Sequence, residues 1–168
     1  MNTSVKDADM FLEPAVDPAT KKMAIRNVTG VARKTVAQIS IRHYDPITTD
    51  EPESLGGTGT APTPIELLLA SLLGCEAVII KGVAEQMKFE YGDVNFSTTS
   101  QLDIRGPKGV KGIKPIFETV KLNIDVTTDE PDDRFQKLIV NVETRCPVMN
   151  LLKDAGVDMN VKWTAVPT

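Results

Sequence analysis

The chain has 168 residues, 41% of them hydrophobic and 25% charged, which is enough apolar content to bury one sizeable core in a single globular domain. Nineteen basic against 23 acidic residues give a net charge of −4, and the basic residues are scattered, with Lys21-Lys22 and Arg33-Lys34 the densest pairs. That distribution excludes the continuous basic surface of a nucleic-acid partner.

Residues 1–18 carry Asp7, Asp9, Glu13 and Asp17 and have neither the basic start nor the apolar centre of a secretory signal. Residues 1–22 therefore read as an N-terminal arm ahead of one domain over 23–168. The expected compartment is a reducing cytoplasm, where disulfides that persist are usually catalytic or sensory. Next, 24–29 and 35–44 alternate and are rich in β-branched residues, predicting an antiparallel hairpin connected through 30–34. Three glycines and three prolines within 50–64 predict a turn-rich loop without regular structure. Thr63 as cap, Pro64 at the first helical position and Glu66 in the first turn then start a helix running to about Lys88. Its apolar run, about 65–80, is interrupted by Glu66 and Glu76 and falls short of a bilayer span, so no membrane partner is expected. Because Leu67, Leu69, Leu72, Val78 and Ile80 cover most of its circumference, it should be buried on more than one side. One small sheet cannot do that, so a homodimer is expected.

Two strands follow over 93–105 and 116–128, with a glycine-rich connection at 106–112 suited to a hairpin tip. A second helix starts at about Pro131, carries Phe135, Leu138, Ile139 and Val142 at helical spacing, and stops before Pro147. A short helix over 148–153 ends at Gly156, and 157–166 closes the chain as a strand. This order of strands, helix, strands, helices and strand is α+β.

Cys75 and Cys146 are the only cysteines, 71 positions apart, so any meeting between them is made by the fold. Cys75 reads either as a small buried hydrophobe or as a thiol made approachable by Gly74, and mid-helix it would need a cation from elsewhere. Cys146 stands before Pro147 at the N-cap of the third helix, where amide donors lower a thiol pKa. By these arguments Cys146 is the better thiolate. Glu66 lies nine residues before Cys75, on nearly the opposite face of a straight helix. It acts either as a favourable first-turn carboxylate or on the thiol from across a subunit boundary or kink. His43, the only histidine, sits beside Arg42 on an alternating segment and reads as a solvated strand residue. No cysteine and histidine spacing suits zinc and no glycine-rich turn suits phosphate, so no metal or nucleotide cofactor is expected.

The stretch ESLGGTGTAPTPIELLLASLLGC at 53–75, followed by Cys146-Pro147-Val148 and Leu151-Leu152, resembles the OsmC/Ohr family of thiol-dependent hydroperoxide reductases. The resemblance covers about 23–166. It implies an OsmC-like α+β fold, with antiparallel sheets wrapped around a long central helix, and an intertwined homodimer with active sites at the subunit interface. It also implies a peroxidase cycle in which the Cys75 thiolate attacks an organic hydroperoxide, becomes a sulfenic acid and is captured by Cys146 as a disulfide. An external thiol or dihydrolipoyl protein then reduces that disulfide, with no bound cofactor. Glu66 and an arginine of the N-terminal strands would activate Cys75. Arg33, 33 residues before Glu66, fits the family spacing, and Arg42 competes for the role. Apolar neighbours such as Leu68, Leu72 and Val78 would favour organic hydroperoxides over hydrogen peroxide. The chain departs from the family at Glu76, where relatives commonly carry threonine or another uncharged residue, and a carboxylate there opposes thiolate formation unless it points away. The long loop around Asp50-Glu51-Pro52 resembles a branch whose members need not all be efficient peroxidases. The alternative is a non-catalytic redox sensor or small-ligand binding protein using the same pocket.

Overall fold

The computed structural model describes Asp17 and residues 19–168, which form two compact units dividing between Ala70 and Ser71. Most of the expected N-terminal arm lies outside the described residues.

The first unit contains β1 (Thr29–Arg33), β2 (Val36–Ser40) and β3 (Ile47–Thr49), an antiparallel sheet in that order. Arg33 pairs with Val36, so Lys34 and Thr35 form the turn, and Lys34 takes the left-handed φ of 55° that two-residue hairpins favour. The hairpin is therefore shifted from its predicted place. Residues 30–34, predicted as the connection, are mostly strand, and 24–29 is strand only at Thr29. Pairing explains the difference: a side chain at Gly30 would meet the Gln38 carbonyl oxygen at 3.1 Å, so this glycine permits close strand approach instead of a turn. β2 stops at Ser40 because the chain turns at Arg42 (φ 51°) and the Tyr44 amide donates to Ile41 O at 3.2 Å. His43 thus lies in an exposed turn, past the strand.

The loop after β3 is organised by Asp50. Its buried carboxylate accepts from the Thr58 amide (3.0 Å), the Thr58 hydroxyl (2.6 Å) and the Thr60 amide (3.2 Å). The Thr58 hydroxyl is the main reason its pKa lies well below the usual carboxylate range. Gly57 is required by space, since a Cβ there would fall 1.7 Å from Glu51 O. A 3-10 turn at Glu53–Leu55 supplies regular structure where none was predicted.

Helix α1 (Pro64–Met87) starts in the first unit and continues through the second. It ends where Lys88 takes a φ of 51° and the Phe89 amide closes on Ala84 O at 2.9 Å, a left-handed cap filled here by lysine. Its length and mean hydropathy of 2.0 over 18 residues would suit a bilayer span, unlike the shorter run counted in the sequence. The same properties suit a helix serving a protein core.

In the second unit, β4 (Val94–Leu102), β5 (Phe117–Thr127) and β6 (Asp158–Val166) form a sheet in that order. β4 and β5 are antiparallel, as predicted, whereas β6 runs parallel to β5. The parallel pairing corrects the expectation of purely antiparallel sheets. Its cause is the connection: α2 (Asp132–Arg145) and α3 (Pro147–Asp154) lie between β5 and β6, and such a crossover brings the chain back in the same direction. β5 occupies the centre and buries Val120, Leu122, Ile124 and Val126 completely on alternate positions. Leu138 and Val142 of α2, and Met149 and Leu152 of α3, are buried as well. Phe89 stacks on Phe135, and Phe135 meets Trp163 edge to face, with centroids 6.4 Å apart at each step. Of α1, the stripe Leu72, Glu76, Ile80, Val83 and Ala84 is buried, while Gly74, Ala77, Val78 and Gly82 are exposed. Among the described residues, the part of α1 in the second unit is buried along one face, where the sequence led us to expect burial on several.

Candidate functional site

The second unit brings Cys75, Glu76 and Cys146 together. Cys75 lies in the middle of α1, partly exposed, beside Gly74, where a Cβ would find open space. Cys146 ends α2 and caps α3. Its backbone is extended (φ −71°, ψ 111°), and its Sγ accepts the Met149 amide at 3.5 Å, the N-cap arrangement predicted from Pro147.

That cap does not make Cys146 an acidic thiol, which corrects the expectation drawn from its position. The side chain is completely buried, and burial pushes its pKa up most. The neighbouring Glu76 carboxylate pushes it further, and the Met149 amide, acting in the opposite sense, is outweighed. The Cys75 thiol is another of the groups acting on Cys146, so the two sulfurs, 71 residues apart in sequence, are neighbours within this unit.

Glu76 is the residue whose importance the sequence understated. It is completely buried, and neither carboxyl oxygen has a partner in hydrogen-bonding geometry. Burial pushes its pKa up to about 6, the Cys146 thiol opposes that rise, and Glu143 and Lys153 add smaller effects of opposite sign. The carboxylate therefore points inward and acts on Cys146. A signal was present in the sequence: Leu72, Glu76 and Ile80 are spaced by four, which puts Glu76 on the buried stripe. Glu143, which the sequence did not single out, accepts from Trp163 Nε1 at 3.1 Å and lies 3.3 Å from Lys153 Nζ.

Glu66, Arg33 and Arg42 belong to the first unit. Glu66 forms a capping box with Thr63: its Oε2 accepts from the Thr63 amide (2.7 Å) and hydroxyl (2.9 Å), and the Glu66 amide donates to Thr63 Oγ1 at 3.2 Å. The Thr63 amide is the main cause that holds its pKa below the usual value. Arg33 ends β1 on an exposed strand. Arg42 lies over the Tyr44 ring, 4.9 Å from its centroid, and donates from Nη2 to Tyr44 Oη at 3.3 Å. Two surface cavities, of about 530 and 670 Å³, are lined around Glu90, Tyr91 and Gly92, and neither includes a cysteine.

Chemically, the site is a dithiol with unequal members, one approachable and one enclosed beside a buried carboxylate. Residues 57–162 match the family described as OsmC-like protein. None of the curated proteins compared with the chain matches it significantly. Among solved structures, an OsmC-like protein from Mycoplasma pneumoniae is similar over 85% of this chain and 98% of its own, with 20% identity and a TM-score of 0.72. A hypothetical protein from Aquifex aeolicus is similar over 87% and 99%, with 15% identity and a TM-score of 0.69. An organic hydroperoxide resistance protein OsmC from Legionella pneumophila is similar over 86% and 98%, with 19% identity and a TM-score of 0.64. These likenesses show a shared mixed α+β fold, and the match over more than half of its length shows that the chain belongs to the OsmC-like protein family.

Proposed function

We propose that the protein is a thiol-dependent peroxidase that reduces organic hydroperoxides through Cys75 and Cys146. The observation that carries this reading is the neighbourhood of a partly exposed Cys75 and a buried Cys146 within one unit of an OsmC-like chain. It is further supported by the name of the Legionella relative, an organic hydroperoxide resistance protein. The Cys75 thiolate attacks the hydroperoxide, the O–O bond breaks, an alcohol leaves and the sulfur becomes a sulfenic acid. Cys146 then displaces the sulfenic hydroxyl as water and forms a disulfide, which two external thiols or a dihydrolipoyl protein reduce. Glu66 together with Arg33 or Arg42 holds the reactive thiolate, and a second copy of the chain covers the exposed face of α1.

The test is multiple turnover of cumene hydroperoxide with dihydrolipoamide or dithiothreitol, with mass spectrometry of the product after one equivalent. A Cys75–Cys146 disulfide and sustained turnover are expected. Two free thiols, or a Cys75–Cys75 link between chains, would defeat the resolving role of Cys146. An apolar setting gains about 0.8 kcal/mol for each methylene buried, so kcat/KM should be higher for cumene hydroperoxide than for hydrogen peroxide. Of Arg33→Ala and Arg42→Ala, the one that removes the activating cation should cut the rate and the other should change it little. The redox-sensor reading is favoured by one observation, the upward push on the Cys146 thiol, which slows resolution. A single oxidation without further turnover would establish that reading instead.

A further inference from the structure

Glu76 does something the dithiol chemistry above leaves unassigned. A carboxylate buried at the middle of an apolar helix stripe loses its hydration, and neither of its oxygens recovers that loss through a hydrogen bond of good geometry. It is nonetheless a neighbour of the one thiol that must shed a proton in a place closed to water. The other charged groups nearby are unsuited to accept that proton. Glu143 of α2 is engaged by Trp163 and Lys153, and Lys153 of α3 is a cation. Cys75, next to Glu76 on α1, is the partner in the reaction.

We propose that Glu76 is the proton acceptor for Cys146: as the Cys146 sulfur attacks a Cys75 sulfur that carries a leaving group, its proton passes to the Glu76 carboxylate. This deepens the dithiol reading and rests on it. With a Cys75 sulfenic acid, the Cys146 S–H and the Cys75 S–O bonds break and the S–S bond forms. The hydroxyl departs with the proton returned by Glu76, so one water leaves and the carboxylate is restored. Transfer in step with attack avoids two anions side by side in a buried site. The Met149 amide, already 3.5 Å from Sγ, stabilises negative charge as it develops on the sulfur.

The test does not require peroxide. Ellman's reagent labels the accessible Cys75 and releases one thionitrobenzoate. Attack by Cys146 on the mixed disulfide then breaks its S–S bond and releases a second. In the wild-type protein the second release should rise with pH through about 6, as Glu76 ionises, and level off above pH 7. In Glu76→Gln it should be slower at pH 7 by roughly 10²-fold and climb about tenfold per pH unit without levelling off, since only solvent base remains. Glu76→Asp should keep the plateau at a reduced rate. First release from Cys75 should change little in either variant. Equal second-release rates and profiles in wild type and Glu76→Gln overturn the proposal. Should Glu76→Gln not fold, the wild-type profile decides, because a rate climbing from pH 6 to 9 without a plateau also overturns it. A wild type that never releases the second equivalent overturns both this proposal and the pairing of the cysteines. Normal second release without hydroperoxide turnover overturns the peroxidase reading and leaves Glu76 in this role.

Discussion

A carboxylate buried without a hydrogen-bond partner lowers stability whenever it is charged. Glu76 is raised from 4.5 to about 6 by burial, so the folded protein binds this proton more tightly than the unfolded chain does. The contribution is therefore present below pH 4.5 and is lost as pH rises through 6, amounting to about 2 kcal/mol of stability absent at pH 8. Thermal unfolding from pH 4 to 8 should show wild type losing stability relative to Glu76→Gln as pH rises, and parallel curves would contradict the burial argument. The same burial separates the two thiols. Native protein treated with iodoacetamide at neutral pH should be alkylated at Cys75 first, because Cys146 has no exposed surface and a raised pKa. Peptide mapping that finds Cys146 modified first would reverse the roles assigned to the pair.

At the scale of elements, the α2–α3 crossover fixes the site. It returns the chain to β5 in parallel and leaves Cys146 at the joint between two helices, where Pro147 forces the first to stop and starts the second. β5 is the strand against which this arrangement is built. Leu122→Ala should destabilise the protein by about 2–5 kcal/mol through lost burial and a residual cavity, whereas exposed Lys121→Ala should stay within about 0.5 kcal/mol. Comparable losses in urea unfolding would mean that the alternation along β5 does not define the core. The helices were legible in the sequence because caps and 3.6-residue spacing are local signals: Thr63, Pro64 and Glu66 announce the start of α1, and Pro147 separates α2 from α3. The first hairpin was displaced because Gly30 read as a turn residue, and only the pairing with β2 shows what a glycine there does.

For the whole molecule, the feature that matters is the face of α1 left exposed among the described residues. Val78 is 68% exposed, and Gly74 and Gly82 beside it have open space where a Cβ would stand. A second copy packed on this face would bury it. Sedimentation at micromolar concentration should then give twice the 18.3 kDa chain mass, and Val78→Glu should shift the protein toward the monomer. A wild-type monomer at that concentration would remove the intersubunit role suggested for Glu66.

The sequence by itself determined the α+β class, the helix boundaries to within a residue or two, and the position of Cys146 at a helix cap, because each depends on near neighbours in the chain. It also carried the family, through the order of a capped Pro-Ile-Glu helix start, a mid-helix cysteine and a distant Cys-Pro. The direction of β6, the neighbourhood of the two thiols and the target of the Glu76 carboxylate were decided by tertiary structure alone. These depend on contacts between residues far apart in sequence and on desolvation, and desolvation at Cys146 outweighs the local helix-cap effect that the sequence displays.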